Sequence, residues 1–217
     1  MPLSKMNRPR SEMVQPSSEA SRSASLIQGE RKNYIPPSLL DPSRALPKLI
    51  VFDLDYTLWP FWVDTHISPP LKVAARNQAA TDKFGERYAM YDDVPAILGL
   101  LASRRTVKLA VASRTSAPNL ARDLLKMLHI GAEGERPRRA VDVFDGGMEI
   151  YPGSKMRHFE ALQRRTGLPF EDMLFFDDEP RNMETEQLGV TMCLVRDGVS
   201  WREVARGVDE WRRRRGV

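Results

Sequence analysis

Four short apolar runs constrain this chain most, because each one stops abruptly at polar or charged residues. Leu49 to Phe52 ends at Asp53, and Val107 to Ala112 ends at Ser113. Met173 to Phe176 ends at Asp177 and Asp178, and Val190 to Val195 ends at Arg196-Asp197-Gly198. A short run without polar alternation is what a strand covered on both faces requires. Between the runs lie helical patterns. Residues 93–104 begin with an acid and a proline, and residues 117–128 place Leu120, Leu124, Leu125 and Leu128 on one face. Residues 154–166 stop at Gly167 and Pro169, and residues 200–215 open with Ser200 and Glu203 in a capping-box pattern. Strands alternating with helices predict a doubly wound α/β domain with a parallel sheet and right-handed crossovers.

In such a sheet, ligands bind beyond the carboxyl ends of the strands, so the residues that follow each run should share one edge. These are Asp53 and Asp55, Ser113 and Arg114, and Asp177 and Asp178, with Lys155 opening a helix after Tyr151-Pro152-Gly153-Ser154. Carboxylates gathered at one edge repel unless a cation sits among them. Oxygen donors without a His or Cys cluster suit a hard ion, and Mg²⁺ is the usual one where phosphate is also bound. Asp53 and Asp55 are two apart, so an extended backbone sends both side chains the same way. One can attack phosphorus while the other gives or takes a proton. Lys155, Ser113 and nearby backbone N–H groups would neutralise the charge on the phosphate.

The segments VFDLDYTL, VASRTS, GSK and FFDDE resemble the four ordered motifs of the haloacid-dehalogenase-like (HAD) hydrolase superfamily. The longer stretches DLDYTLWPFWVDTHISPP, EIYPGSKMRHFE and FFDDEPRN resemble its eukaryotic magnesium-dependent phosphatase family, and the likeness covers residues 46–212. The resemblance implies a Rossmann-like HAD fold over 46–217 with a small cap insertion around 60–92. It implies a Mg²⁺-dependent phosphomonoester hydrolase that works through an aspartyl phosphate on phosphotyrosine-type or sugar-phosphate substrates. Asp53 would then be nucleophile and metal ligand. Asp55 would be general acid/base and lend its backbone carbonyl to the metal. Ser113 and Arg114 would contact the phosphoryl group or substrate, Lys155 would bind phosphoryl oxygens, and Asp178 would ligate the metal with Asp177 behind it. Two stretches depart from the family pattern. Residues 131–148 look longer and Arg-rich, and the polar residues 71–91 stand where larger relatives carry a cap domain. Two other readings stay open: a binding or regulatory module that keeps the fold without the chemistry, and phosphotransferase or dehalogenase chemistry on the same scaffold. The intact Asp55 disfavours dehalogenation, which needs no leaving-group acid.

Charge separates these readings further. The net charge is +4, yet residues 1–47 carry seven Lys/Arg against four Asp/Glu and residues 200–217 six against three, so residues 48–199 sum to −2. A nucleic-acid-binding domain would carry its basic surface on the folded body, so the expected partner is a phosphorylated small molecule or phosphoprotein. No apolar stretch is long enough for a membrane span, and a lone Cys193 in an apolar run reads as a buried thiol in a reducing, cytoplasmic setting. Residues 1–45, rich in Ser, Pro and Arg, read as a disordered tail in which Tyr34, Ile35, Leu39 and Leu40 dock partly on the body. Leu58 in the sixth position rules out a calcium EF-hand loop beginning at Asp53. Trp59, Phe61 and Trp62 are expected to form a flap over the pocket, His129 to close a helix, and Arg212 to Arg215 to form a solvated helix end.

Overall fold

The computed structural model describes residues 35–131 and 136–217. Five parallel strands form the central sheet in the order β10-β9-β1-β5-β8. They are β1 (Leu49–Phe52), β5 (Lys108–Ser113), β8 (Gly147–Ile150), β9 (Met173–Asp177) and β10 (Thr191–Leu194). Four of these follow the apolar runs; β8 does not. Its sequence, GMEI, is too short and too mixed to stand out, and it is a strand because β5 supplies a parallel partner from Ala110↔Gly147 to Ser113↔Ile150.

Alternation within β1 shows why the run must be apolar throughout. Ile50 and Phe52 belong to one core layer and Leu49 and Val51 to the other, and all four are fully buried. Helices α3 (Val94–Ser103), α4 (Pro118–Met127) and α6 (Trp201–Arg215) contribute to the first layer; α5 (Lys155–Thr166) contributes Phe159 and Leu162 to the second. The sheet is therefore covered on both faces, as expected. The chain runs from β1 outward through β5 to β8, then returns past β1 to β9 and β10, so the topological switch lies at β1.

The insertion holds the short helix α2 (Val63–His66) and a separate antiparallel sheet of β2 (Lys72–Ala74), β3 (Ala79–Thr81) and β4 (Arg87–Tyr88). Strand β6 (His129–Ile130) pairs antiparallel with β7 (Arg138–Arg139), which lies in the Arg-rich stretch. His129 thus begins a strand; α4 stops at Met127, and His129 does not close it.

The start of the body lies earlier than residue 46. Helix α1 (Pro37–Leu40) buries Leu39, and Ile35 packs on the core, while Leu40 stays exposed. Two arginines hold this segment. Arg104 donates to the Leu39 carbonyl at 3.0 Å, and Arg212 donates to Ala45 and Ser38 carbonyls at 2.8 and 3.1 Å. Arg212 is consequently buried, not part of a solvated run; Arg213 and Arg214 instead pair with Glu210 on their own helix. Tyr34 and the rest of the expected tail lie outside the described residues. Among the described residues no helix is long and apolar enough to cross a membrane.

Candidate active site

The carboxyl ends of β1, β5 and β9, together with the start of the helix that follows β8, deliver polar groups to a common cleft of about 380 Å³. Asp53 leaves β1 with its N–H on the Phe176 carbonyl at 2.9 Å, so β9 fixes the backbone from which the carboxylate projects. Beyond it the chain turns sharply. The Leu54 carbonyl accepts from Leu58 N–H at 2.8 Å, and Tyr56 takes a left-handed φ of 52°. That turn brings Asp55 back to the cleft, where its Oδ1 accepts from the Trp59 indole at 2.7 Å and from Val63 N–H at 3.2 Å.

Lys155 lies at the base of this arrangement, 1% exposed. Its ammonium donates to Asp53 Oδ1 at 2.7 Å and to the Ala112 carbonyl, and it stands 2.9 Å from Asp177 Oδ2. Two hydrogen bonds and the Asp177 ion pair hold the ammonium in place at the base of the cleft. Ser154 caps helix α5 by accepting from Met156 N–H at 3.1 Å, which sets where Lys155 starts. Desolvation acts to lower the Lys155 pKa, but Asp53 and Asp177 outweigh it and the net shift is upward. Burial raises the Asp53 carboxyl above the usual carboxylate range, with Lys155 pulling against it. Burial likewise lifts Asp55 to about 6, opposed by the Trp59 and Val63 hydrogen bonds. Asp178 also rises to about 6, first from burial and then from the charge of Asp177.

Six of the seven predicted site residues line the cleft together: Asp53, Asp55, Ser113, Arg114, Lys155 and Asp178. Asp177 does not. It is fully buried behind them, accepting from Glu179 N–H at 2.7 Å and taking the Asn182 amide on both oxygens at 2.9 Å. Asn182 is the residue that sequence reasoning left out, although it closes the FFDDEPRN stretch. Its carbonyl oxygen accepts from Arg114 at 3.2 Å, so one buried amide joins Arg114 to Asp177. No local periodicity marks it; only the contact across 68 residues reveals the role.

The aromatic flap divides. Trp59 and Phe61 are buried and stacked, with ring centroids 5.5 Å apart, and only Trp62 reaches the cleft, half exposed and packed against Tyr56 and His66. Trp59 therefore acts through its indole hydrogen bond to Asp55, not as a lid. Across the mouth, Asp64 accepts from the Ser116 N–H at 3.1 Å and hydroxyl at 2.7 Å, tying α2 to the loop after β5.

Residues 45–214 match the acid phosphatase family. The chain belongs to that family. It is 43% identical over 167 residues to human magnesium-dependent phosphatase 1, covering 76% of this chain and 86% of the relative. It is 42% identical over 146 residues to a HAD-like hydrolase superfamily protein of Schizosaccharomyces pombe, covering 67% of this chain and 83% of that one. The relationship confirms the expectation of a HAD-like magnesium-dependent phosphatase fold.

The donor set suits the metal of this acid phosphatase family. Lys155 is already engaged by two carboxylates, and Arg181 is paired with Glu179 at 2.6 Å. Asp55 and Asp178 thus face the cleft with no cation within ion-pair distance among the described residues, and hard oxygen donors carry the surplus charge. Among the described residues no three His, Cys, Asp or Glu side chains form a closed cage. Mg²⁺ takes one or two carboxylates and fills its remaining positions with water and phosphate, a demand that Asp53 and Asp178 can meet.

Proposed function

We propose that this phosphatase hydrolyses phosphate monoesters through a phospho-aspartate on Asp53. The observation that carries the reading is the geometry of Asp53: one carboxylate oxygen is held by Lys155 at 2.7 Å while the side chain faces an open cleft it shares with Asp55. An oxygen fixed in this way is poised for attack on phosphorus. Asp53 and Asp178, with the Asp55 carbonyl, would hold Mg²⁺, which when bound neutralises charge on the phosphoryl oxygens. Ser113, Arg114 and Lys155 orient the phosphoryl group.

Asp55 supplies the proton chemistry. Its carboxyl, lifted to about 6, exchanges protons readily near neutrality. It donates to the leaving oxygen as the ester bond breaks and Asp53 gains the phosphoryl group. It then takes a proton from the water that cleaves the acyl phosphate, which restores both carboxyl groups to their starting states. Trp62 at the lip and a small insertion leave room for phosphotyrosine-type or sugar-phosphate substrates.

The test uses p-nitrophenyl phosphate with Asp53→Asn. Turnover should fall by about 10³-fold or more, and acid quenching of wild type should trap one labile phosphate per chain. Near-normal turnover in the variant rules out Asp53 as nucleophile. Release of inorganic phosphate, rather than transfer to an added sugar, separates hydrolysis from phosphotransfer. A release screen over phosphoamino acids and sugar phosphates then fixes the substrate class.

A further inference from the structure

A second cavity, of about 640 Å³, lies apart from the cleft and shares no residue with it. Chain segments distant in sequence meet there: the turn after β2, strand β4, the start of α3 and strand β6. Among the described residues Arg76, Arg87 and His129 line it with one acid, Asp92. Among the described residues neither Arg76 nor Arg87 has an ion-pair partner, whereas Arg139 and Arg181, outside this cavity, are both paired. Exposed arginines without acids are common, but two converging on one concavity from separate elements form a site for negative charge.

The backbone at Arg76 is unusual. Ala75, Arg76 and Asn77 take φ values of 47°, 55° and 68°, three consecutive left-handed residues of which none is glycine. The turn is retained because the Asn77 amide donates to the Met127 carbonyl at 3.0 Å. Strain of this kind, held by a specific bond, is a feature that clusters at ligand sites. Here it aims Arg76 into the cavity.

The remaining lining is apolar. Met90 and Ile130 are buried in the floor, and Tyr91 forms a wall. The Tyr91 ring is fixed by Gly198, at φ 77°, where an added Cβ would lie 2.1 Å from the ring. A cavity that is cationic on one side and apolar and aromatic on the other fits a ligand with the same asymmetry.

We propose that this cavity binds a small organic anion, its charged head on Arg76 and Arg87 and its flat apolar body against Met90, Tyr91 and Ile130. Strand β6 builds one side of the site, with Gly131 and Pro137 of the stretch that departs from the family pattern beside it. The proposal stands independently of the chemistry at Asp53.

The probe is anilinonaphthalene sulfonate, an aromatic sulfonate, titrated by fluorescence into the full chain. Wild type should show one saturable class of site, weakened by salt. Arg76→Gln combined with Arg87→Gln should weaken binding by about tenfold or more, because each charge-assisted contact is worth roughly that factor. Both side chains are exposed, so turnover of p-nitrophenyl phosphate should stay unchanged and report an intact fold. Orthovanadate, which occupies phosphatase active sites, should not displace the probe. Absent saturable binding, equal binding in the double variant, or displacement by orthovanadate each overturns the proposal.

Discussion

Lys155 reaches from the first residue of α5 to Asp53 at the end of β1, 2.7 Å away and 102 residues earlier in the chain. Its ammonium also stands 2.9 Å from Asp177, so it is the positive centre of a buried charge cluster at the base of the cleft. Replacing it leaves two carboxylates confined together without compensation. Lys155→Met should lower kcat/KM by about 10²–10³-fold and destabilise the protein by about 3 kcal/mol at neutral pH. Paired kinetics and urea unfolding check this. Full stability with lost activity would mean that Lys155 serves the substrate alone.

Asn182 makes a different kind of contribution. Its amide holds both oxygens of Asp177 and receives Arg114 on its carbonyl. Asn182→Ala should reduce kcat/KM by about tenfold to a hundredfold, and a double-mutant cycle with Arg114→Ala should show coupling of about 1 kcal/mol. Strict additivity would show that the bridge transmits nothing.

His158 makes stability depend on pH. The ring is fully buried in α5, one nitrogen bonds the Tyr151 carbonyl at 3.0 Å, and Nδ1 has no partner. Burial, reinforced by the Lys155 charge, lowers its pKa from 6.5 to about 4. A base depressed in the folded state stays neutral while the unfolded chain takes up a proton. Stability should therefore be unaffected above 6.5, fall as pH drops from 6.5 towards 4, and level off below, by roughly 2–3 kcal/mol in total. His158→Gln should flatten that slope in unfolding curves collected across this range. An unchanged slope would assign the acid sensitivity to other groups.

Arg212 fastens residues 38 and 45 to the last helix through two carbonyls. Arg212→Ala should cost about 1–3 kcal/mol, because buried acceptors lose their donors. The segment before β1 should become open to proteolysis while turnover stays near wild type. Resistance equal to wild type would show that Leu39 burial and the Arg104 hydrogen bond suffice to retain the segment.

How much was legible in the sequence follows from how local each feature is. Uninterrupted burial on two faces demands apolar runs, so four central strands and the acids at their ends could be read directly. The ordered motifs carried the same information for Asp53, Asp55, Ser113, Lys155 and Asp178. Strand β8 could not be read, since GMEI is a strand only beside β5. The same holds for Trp59, whose indole hydrogen bond to Asp55 outweighs the flap reading suggested by its neighbours.

Sequence by itself determined the layered α/β architecture and the set of acids and the lysine at one sheet edge, because strand periodicity and helix capping act within a few residues. Tertiary structure alone decided that Asn182 ties Arg114 to the buried Asp177 carboxylate and that Arg212 is a fastening and not a solvated end. Those outcomes depend on desolvation and on hydrogen-bond partners dozens of residues away. A linear pattern does not encode such distances; packing does.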